Sequence, residues 1–115
     1  MARDADCLFC KVVAGEVPAD VVHRDERVVA FRDVEPQAPV HVLVVPVDHH
    51  SDVAALSAAD GELLADVVRV GSQIAADECQ GEFRLVFNTG RSANQSVFHV
   101  HGHVLGGRSM TWPPG

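Results

Sequence analysis

Residues 97–105 read Val97-Phe98-His99-Val100-His101-Gly102-His103-Val104-Leu105, an alternation of apolar residues with histidines that has a period of two. In a strand, positions i, i+2 and i+4 share a face, so the three imidazoles are predicted to line one side while Phe98, Val100 and Val104 point to the other. At a rise of ~3.3 Å per residue, neighbouring rings are anchored about 6.6 Å apart and the outer pair about 13 Å. Three rings so spaced would be strained on a single ion, and different jobs are expected of them. A histidine-rich surface strand or a tag-like metal-binding tract is the bland alternative. The polar loop Asn94-Gln95-Ser96 just ahead, suited to an anion, argues for a site.

Outward from this stretch, short β-rich runs and turns alternate with helical patterns. Phe83 to Phe87 reads as the preceding strand, with Asn88-Thr89-Gly90 opening the loop between them. His41 to Val45 is a strand closed by Pro46, and Val21–His23 with Val28–Phe31 form a hairpin around Arg24-Asp25-Glu26. Residues 7–15 form a short helix that ends near Gly15. Ser57 is read as the N-cap of one long helix reaching about residue 77, with Asp60 favouring its start and Leu63, Val67, Val70 and Ile74 at helical spacing. The expected class is α+β: a five-stranded antiparallel sheet with one long and one short helix.

The chain has 115 residues, 47% of them hydrophobic, enough for one core and one domain. A net charge of -7 argues against a nucleic acid polymer as partner, because phosphates demand a basic face. An anionic ligand would then be held by local donors. The N-terminal segment Met1 to Asp6 lacks the apolar stretch of a secretory signal, and no apolar run approaches a membrane span, so a cytoplasmic location without membrane contact is expected. Of three cysteines, two form Cys7-Leu8-Phe9-Cys10, which fits a reducing compartment and a metal or redox site better than a disulfide framework. No strand precedes Cys7, so the context of a thioredoxin-like redox motif is missing.

The segment from Gln95 to Arg108, the run Pro36-Gln37-Ala38-Pro39-Val40-His41 and the ending Trp112-Pro113-Pro114-Gly115 together resemble the histidine triad family, and within it the Hint branch of nucleoside phosphoramidases. The likeness extends over nearly the whole chain, including the Phe9 helix and Phe31-Arg32-Asp33. It implies a single histidine triad domain over 1–115, with 108–115 as a C-terminal tail. A homodimer is also implied, in which the tail carrying Trp112 reaches the partner's site.

The resemblance implies cleavage of the P–N bond of purine nucleoside 5'-phosphoramidates, AMP conjugates for example, through a nucleotidyl-histidine intermediate. His101 would be the nucleophile, oriented by the backbone carbonyl of His99, with His103 and Ser96 contacting the phosphate and leaving group and His41 in support. Taken alone, His41 reads equally well as a histidine satisfied inside the sheet. Asp33 would hold the ribose hydroxyls, and Phe9, Val12, Val17, Phe31 and Val34 the base. Arg32, Asn88, Asn94, Gln95 and Val97 complete the nucleotide-binding set. In bacterial relatives a structural zinc takes ligands at positions matching Cys7, Cys10, His49 and His99; His50 competes with His49 for the third place.

Three positions depart from the family pattern. Gly102 replaces a bulky apolar residue, which predicts a packing gap and a looser backbone. Asn94 stands where glycine is common, tolerable even at positive φ. Arg32 adds a positive charge that would favour a substrate with extra negative charge. The alternative readings are a dinucleoside polyphosphate hydrolase, against which the Trp-Pro-Pro-Gly ending argues, and a non-enzymatic nucleotide-binding regulatory module.

Overall fold

The computed structural model describes residues 3–115; Met1 and Ala2, the first residues of the N-terminal segment read above, lie outside the described residues. Five antiparallel strands form one sheet in the order β1-β2-β3-β5-β4: β1 Val21–Arg24, β2 Val28–Arg32, β3 Val40–Pro46, β4 Phe83–Val86 and β5 Gly102–Gly106. Alternation along β2 and β3 divides the core. Val28, Ala30, Val42 and Val44 pack with Leu63, Val67 and Ile74 on one face, whereas Val29, Phe31, Leu43 and Val45 pack with Phe9 and Val12 on the other. Both faces are covered, so these two central strands read as almost continuous apolar runs.

The short helix α1 spans Leu8–Val13, with Cys7 as its N-cap and the Cys7 side chain accepting from the Cys10 N–H. It covers the second face. The first face is covered by two helices, not the single one expected from Ser57. Helix α2, Val53–Ala59, is capped by Asp52, and helix α3, Gly61–Cys79, is capped by Asp60, whose side chain accepts from the Leu63 N–H at 3.0 Å. Ser57 lies inside α2 and bonds back to the Ala54 carbonyl. Asp60 also accepts from Arg27 at 3.0 Å, so the β1–β2 turn helps to hold the break between the helices. Leu63, Val67 and Ile74 are buried and Val70 is half-buried, as their spacing predicted.

The strand expected over Val97–Leu105 begins only at Gly102. Ahead of it the chain bends over residues 97–99 and stays off the ladder, and there the His99 ring donates from Nε2 to the Pro46 carbonyl at 2.8 Å and the Val100 N–H goes to the His50 carbonyl at 2.7 Å. These bonds replace regular pairing with the end of β3. Alternation persists for Val100 and Val104, which enter the core under α3, but Phe98 does not: it is exposed, with the Arg91 guanidinium 5.5 Å from its ring centroid. Nor does Gly102 leave a gap. A Cβ built there would stand 3.0 Å from Leu85 Cδ1 and 3.0 Å from Phe87 Cζ, so those side chains already occupy the space.

Candidate active site and metal cluster

The face of the sheet carrying α1 opens into a cleft of about 600 Å³, within the range of small-molecule sites. β3 contributes His41 and Leu43 and β5 contributes His103, brought together because Leu43 and His103 are register partners. α1 contributes Leu8, Phe9 and Val12, and the end of β2 contributes Phe31, Arg32 and Asp33. The loop before β5 adds Asn94, Ser96 and His101, and Asn88 follows β4. Val17 and Val34 also line the cleft, Val34 at the rim with 95% of its surface exposed.

The imidazoles are chained by hydrogen bonds whose tautomers follow from their partners. His101 donates from Nδ1 to the His99 carbonyl at 2.8 Å, which leaves the Nε2 lone pair unprotonated. Burial lowers its pKa, with the His99 carbonyl acting in the opposite direction, so the ring is neutral near pH 7. His41 accepts at Nδ1 from the Gln37 N–H at 2.9 Å, so its proton sits on Nε2. That proton is directed at His103 Nδ1, 2.9 Å away, with Asp33 Oδ2 at 3.3 Å from the same nitrogen. His103 must then carry its own proton on Nε2, a buried atom with no partner among the described residues. Burial, reinforced by the His101 and His41 neighbours, pushes the His103 pKa down to about 4; burial also lowers that of His41. The cleft therefore offers one imidazole lone pair and one unpaired imidazole N–H.

Three expected nucleotide-site residues do not line this cleft. Gln95 is 4% exposed and braces the loop: it accepts from the Gly90 N–H at 2.9 Å and donates to the Ser51 carbonyl at 2.7 Å and the Val97 carbonyl at 3.2 Å. Val97 packs against the α1-side core. Trp112 is 82% exposed, its ring centroid 5.9 Å from the Arg84 guanidinium, while the Thr111 carbonyl accepts from Arg84. Arg32 reaches the cleft, yet its guanidinium is bound to both carboxylate oxygens of Glu78 at 2.9 and 3.0 Å. Its charge is thus matched within the fold, contrary to the expected role of attracting extra negative charge. Asn94 does adopt a left-handed conformation at φ 69°, one that asparagine tolerates. Leu8, Leu43 and Gln37 were not foreseen. Leu43 was accessible from strand alternation with His41, but the Gln37 contact is made by its backbone, which carries no residue-type signal.

On the far side of Phe9, Cys7 Sγ, Cys10 Sγ, His49 Nδ1 and His99 Nδ1 converge. His99 Nδ1 lies 3.4 Å from Cys7 Sγ, 3.5 Å from Cys10 Sγ and 3.2 Å from His49 Nδ1; Cys10 Sγ lies 3.5 Å from His49 Nδ1. Tetrahedral zinc bonds of ~2.3 Å to sulfur and ~2.0 Å to nitrogen give ligand separations of roughly 3.3 to 3.8 Å. The donor set fits that polyhedron. His99 is fully buried and holds its proton on Nε2 toward Pro46, so its Nδ1 lone pair faces the cluster. Burial lowers its pKa to about 4 and raises that of Cys10, so neither group gains charge from the protein without a cation beside it. Of the two candidate histidines, His49 is the one that joins the cluster.

Residues 6–112 match the family model described as scavenger mRNA decapping enzyme C-term binding. A HIT family hydrolase of Legionella pneumophila superposes with a TM-score of 0.91 at 46% identity, covering 96% of this chain and 100% of that one. An uncharacterised HIT-like protein of Synechocystis is 44% identical over 96% of this chain and 97% of its own length. A 14 kDa zinc-binding protein of Zea mays is 42% identical over 97% of this chain and 90% of its own length. With three histidines disposed around one cleft and relatives matching end to end, the chain belongs to the histidine triad (HIT) family.

Proposed function

We propose that the protein hydrolyses purine nucleoside 5'-phosphoramidates, with AMP conjugates as the substrate class, through a nucleotidyl-histidine intermediate. The observation that carries this reading is the His101 ring, whose Nδ1 proton is engaged by the His99 carbonyl at 2.8 Å while Nε2 keeps its lone pair beside the cleft. A neutral imidazole so oriented attacks phosphorus without an added base. The P–N bond to the amine breaks as the His101 N–P bond forms, and the amine leaves with a proton taken from solvent by way of the Ser96 hydroxyl, which the attacking water gives back in the next step. Water then cleaves the N–P bond and releases the nucleoside monophosphate and neutral His101. The unpaired Nε2–H of His103 and the Ser96 hydroxyl supply donors for the phosphate oxygens and the departing amine, and His41 fixes the His103 tautomer. Asp33 takes the ribose hydroxyls, and the base lies against Phe9, Val12, Val17, Phe31 and Val34.

Cys7, Cys10, His49 and His99 hold one zinc in a closed Cys2His2 site, whose part is to fix structure. Two chains associate about a two-fold axis: Trp112 is exposed to an extent unusual for its size, and the outer edge of β4 has no neighbouring strand among the described residues. The tail then reaches the partner's cleft and takes part in choosing the leaving group. Truncation after Met110 should change substrate choice more than fold; a monomer at micromolar concentration refutes the assembly.

The deciding assay compares adenosine 5'-phosphoramidates with diadenosine polyphosphates, using wild-type protein and His101→Ala. The expected outcome is preference for the phosphoramidate, a trapped adduct one nucleoside monophosphate heavier, and turnover abolished in His101→Ala with nucleotide binding retained. Two displacements give net retention at a chiral phosphorus. Inversion would exclude the covalent intermediate, and preference for the polyphosphate would assign the chain to dinucleoside polyphosphate hydrolysis.

A further inference from the structure

The metal cluster and the nucleotide cleft are two sides of the same few residues. α1 has only six residues, too few to be stable by itself, and its N-cap and its third residue are the two cysteines of the cluster. Between them Phe9 turns the other way, into the cleft, with its ring centroid 4.9 Å from that of His101 and 5.4 Å from that of Phe31. The second shared segment is 99–101. His99 points its Nδ1 into the cluster while its carbonyl holds the His101 proton, and Val100 is bonded to the carbonyl of His50, next to the ligand His49.

We propose that the Cys7–Cys10–His49–His99 cluster, when it holds its metal, sets the affinity of the cleft for nucleotide by positioning Phe9 and the His99 carbonyl. This rests on the reading of the cluster as a zinc site and of the cleft as a nucleotide site. The four ligands are positioning residues, since none of them lines the cleft. The sign follows from the ligand atoms. Without a cation, the single lone pair of His99 Nδ1 faces Cys7 Sγ at 3.4 Å, Cys10 Sγ at 3.5 Å and His49 Nδ1 at 3.2 Å, and it accepts from only one of them. A cation joins all four ligand atoms at once, and without it the cluster loses that common anchor, so that His99 and the cysteines are free to shift. A turn of His99 gives up its bond to Pro46 and shifts the backbone that orients His101; a shift of the cysteines carries Phe9 with it. Metal loss should therefore weaken nucleotide binding, and by reciprocity bound nucleotide should strengthen the hold on the metal by the same factor.

The test measures AMP affinity by calorimetry for the zinc-loaded protein and for the same protein stripped by a chelator, with circular dichroism recording whether the stripped form is folded. The expected result is one zinc per chain, AMP binding in the loaded form, and an AMP Kd at least about fivefold higher in the folded stripped form, the lower end of ordinary coupling. Cobalt(II) replaces zinc in a second measurement that stays valid if the stripped protein unfolds. Saturating AMP should shift the ligand-field bands of the wild type. In Phe9→Ala, which keeps the metal and binds AMP more weakly, saturating AMP should shift them less. Equal AMP affinities in the two folded forms, or bands unmoved by AMP in the wild type, overturn the coupling while leaving both sites standing. Failure to bind zinc, or failure of the loaded form to bind AMP, removes the underlying reading instead.

Discussion

Gly102→Ala is expected to destabilise the protein, although replacing a strand glycine by alanine ordinarily stabilises. The added methyl would meet Leu85 Cδ1 at 3.0 Å and Phe87 Cζ and Cε1 at 3.0 and 3.1 Å, and both neighbours are already packed against the core under α3. Overfilling a packed core costs ~1–3 kcal/mol, and the backbone entropy recovered by removing glycine offsets roughly 0.5–1 kcal/mol of that. A net loss of about 1 kcal/mol remains, equivalent to a fall in Tm of about 4 °C for a domain of this size. Thermal and urea unfolding, both followed by circular dichroism, measure it. Phe87→Leu removes two of the three contacts, so Gly102→Ala should cost less in that background, with a coupling energy of about 0.5–1 kcal/mol. A Gly102→Ala variant more stable than the wild type, or strict additivity with Phe87→Leu, would refute the steric argument and restore the expectation of a gap beside the histidines.

His103→Ala and Ser96→Ala should each lower kcat by ~10² to 10³ and leave the nucleophile in place, so both should still form the covalent adduct, which rapid-quench mass spectrometry would detect. Asp60→Ala removes the α3 N-cap together with the bond to Arg27, and should cost ~1–2 kcal/mol in urea unfolding, more than Ser57→Ala, which removes no cap. Acid should destabilise the fold through His103, whose folded pKa of about 4 lies below its unfolded value of ~6.5. The unfolded chain then binds the extra proton, so this contribution is fully present above pH ~6.5 and is lost as the pH falls toward 4, about 3 kcal/mol before solvent screening reduces it. His103→Asn should flatten that part of the stability–pH curve; an unchanged slope would show that the ring is not held neutral.

Much of the fold was legible because it depends on local pattern. The β-rich runs Val28–Phe31 and His41–Val45 located the central strands, observed as Val28–Arg32 and Val40–Pro46, and the spacing of Leu63, Val67 and Ile74 located the buried stripe of α3. The helix start was misread because Ser57 and Asp60 are both good capping residues and composition does not rank them. The break at Asp60 is stabilised by Arg27 from another element, a contact no local window contains. The strand containing the histidines was overextended for a similar reason. Residues 99 and 100 have strand-like sequence, but their bonds to Pro46 and His50 were available only once β3 had ended beside them.

By itself, the sequence determined the chemical inventory: three histidines at alternate positions, a fourth at 41, and a Cys-x-x-Cys pair, set in a chain whose apolar periodicity permits one two-faced sheet. Residue type and periodicity are local properties, and those were enough for the class of fold and the kinds of donor present. Only the tertiary structure decided which donor meets which. It sent His99 to the cysteines, left the His101 lone pair and the His103 proton at the cleft, chose His49 over His50, and bound Arg32 to Glu78. Apart from the His101 bond to His99, two positions away, those choices rest on contacts between residues dozens of positions apart, where a difference of one or two ångströms separates a bond from a void, and chain order does not encode such distances.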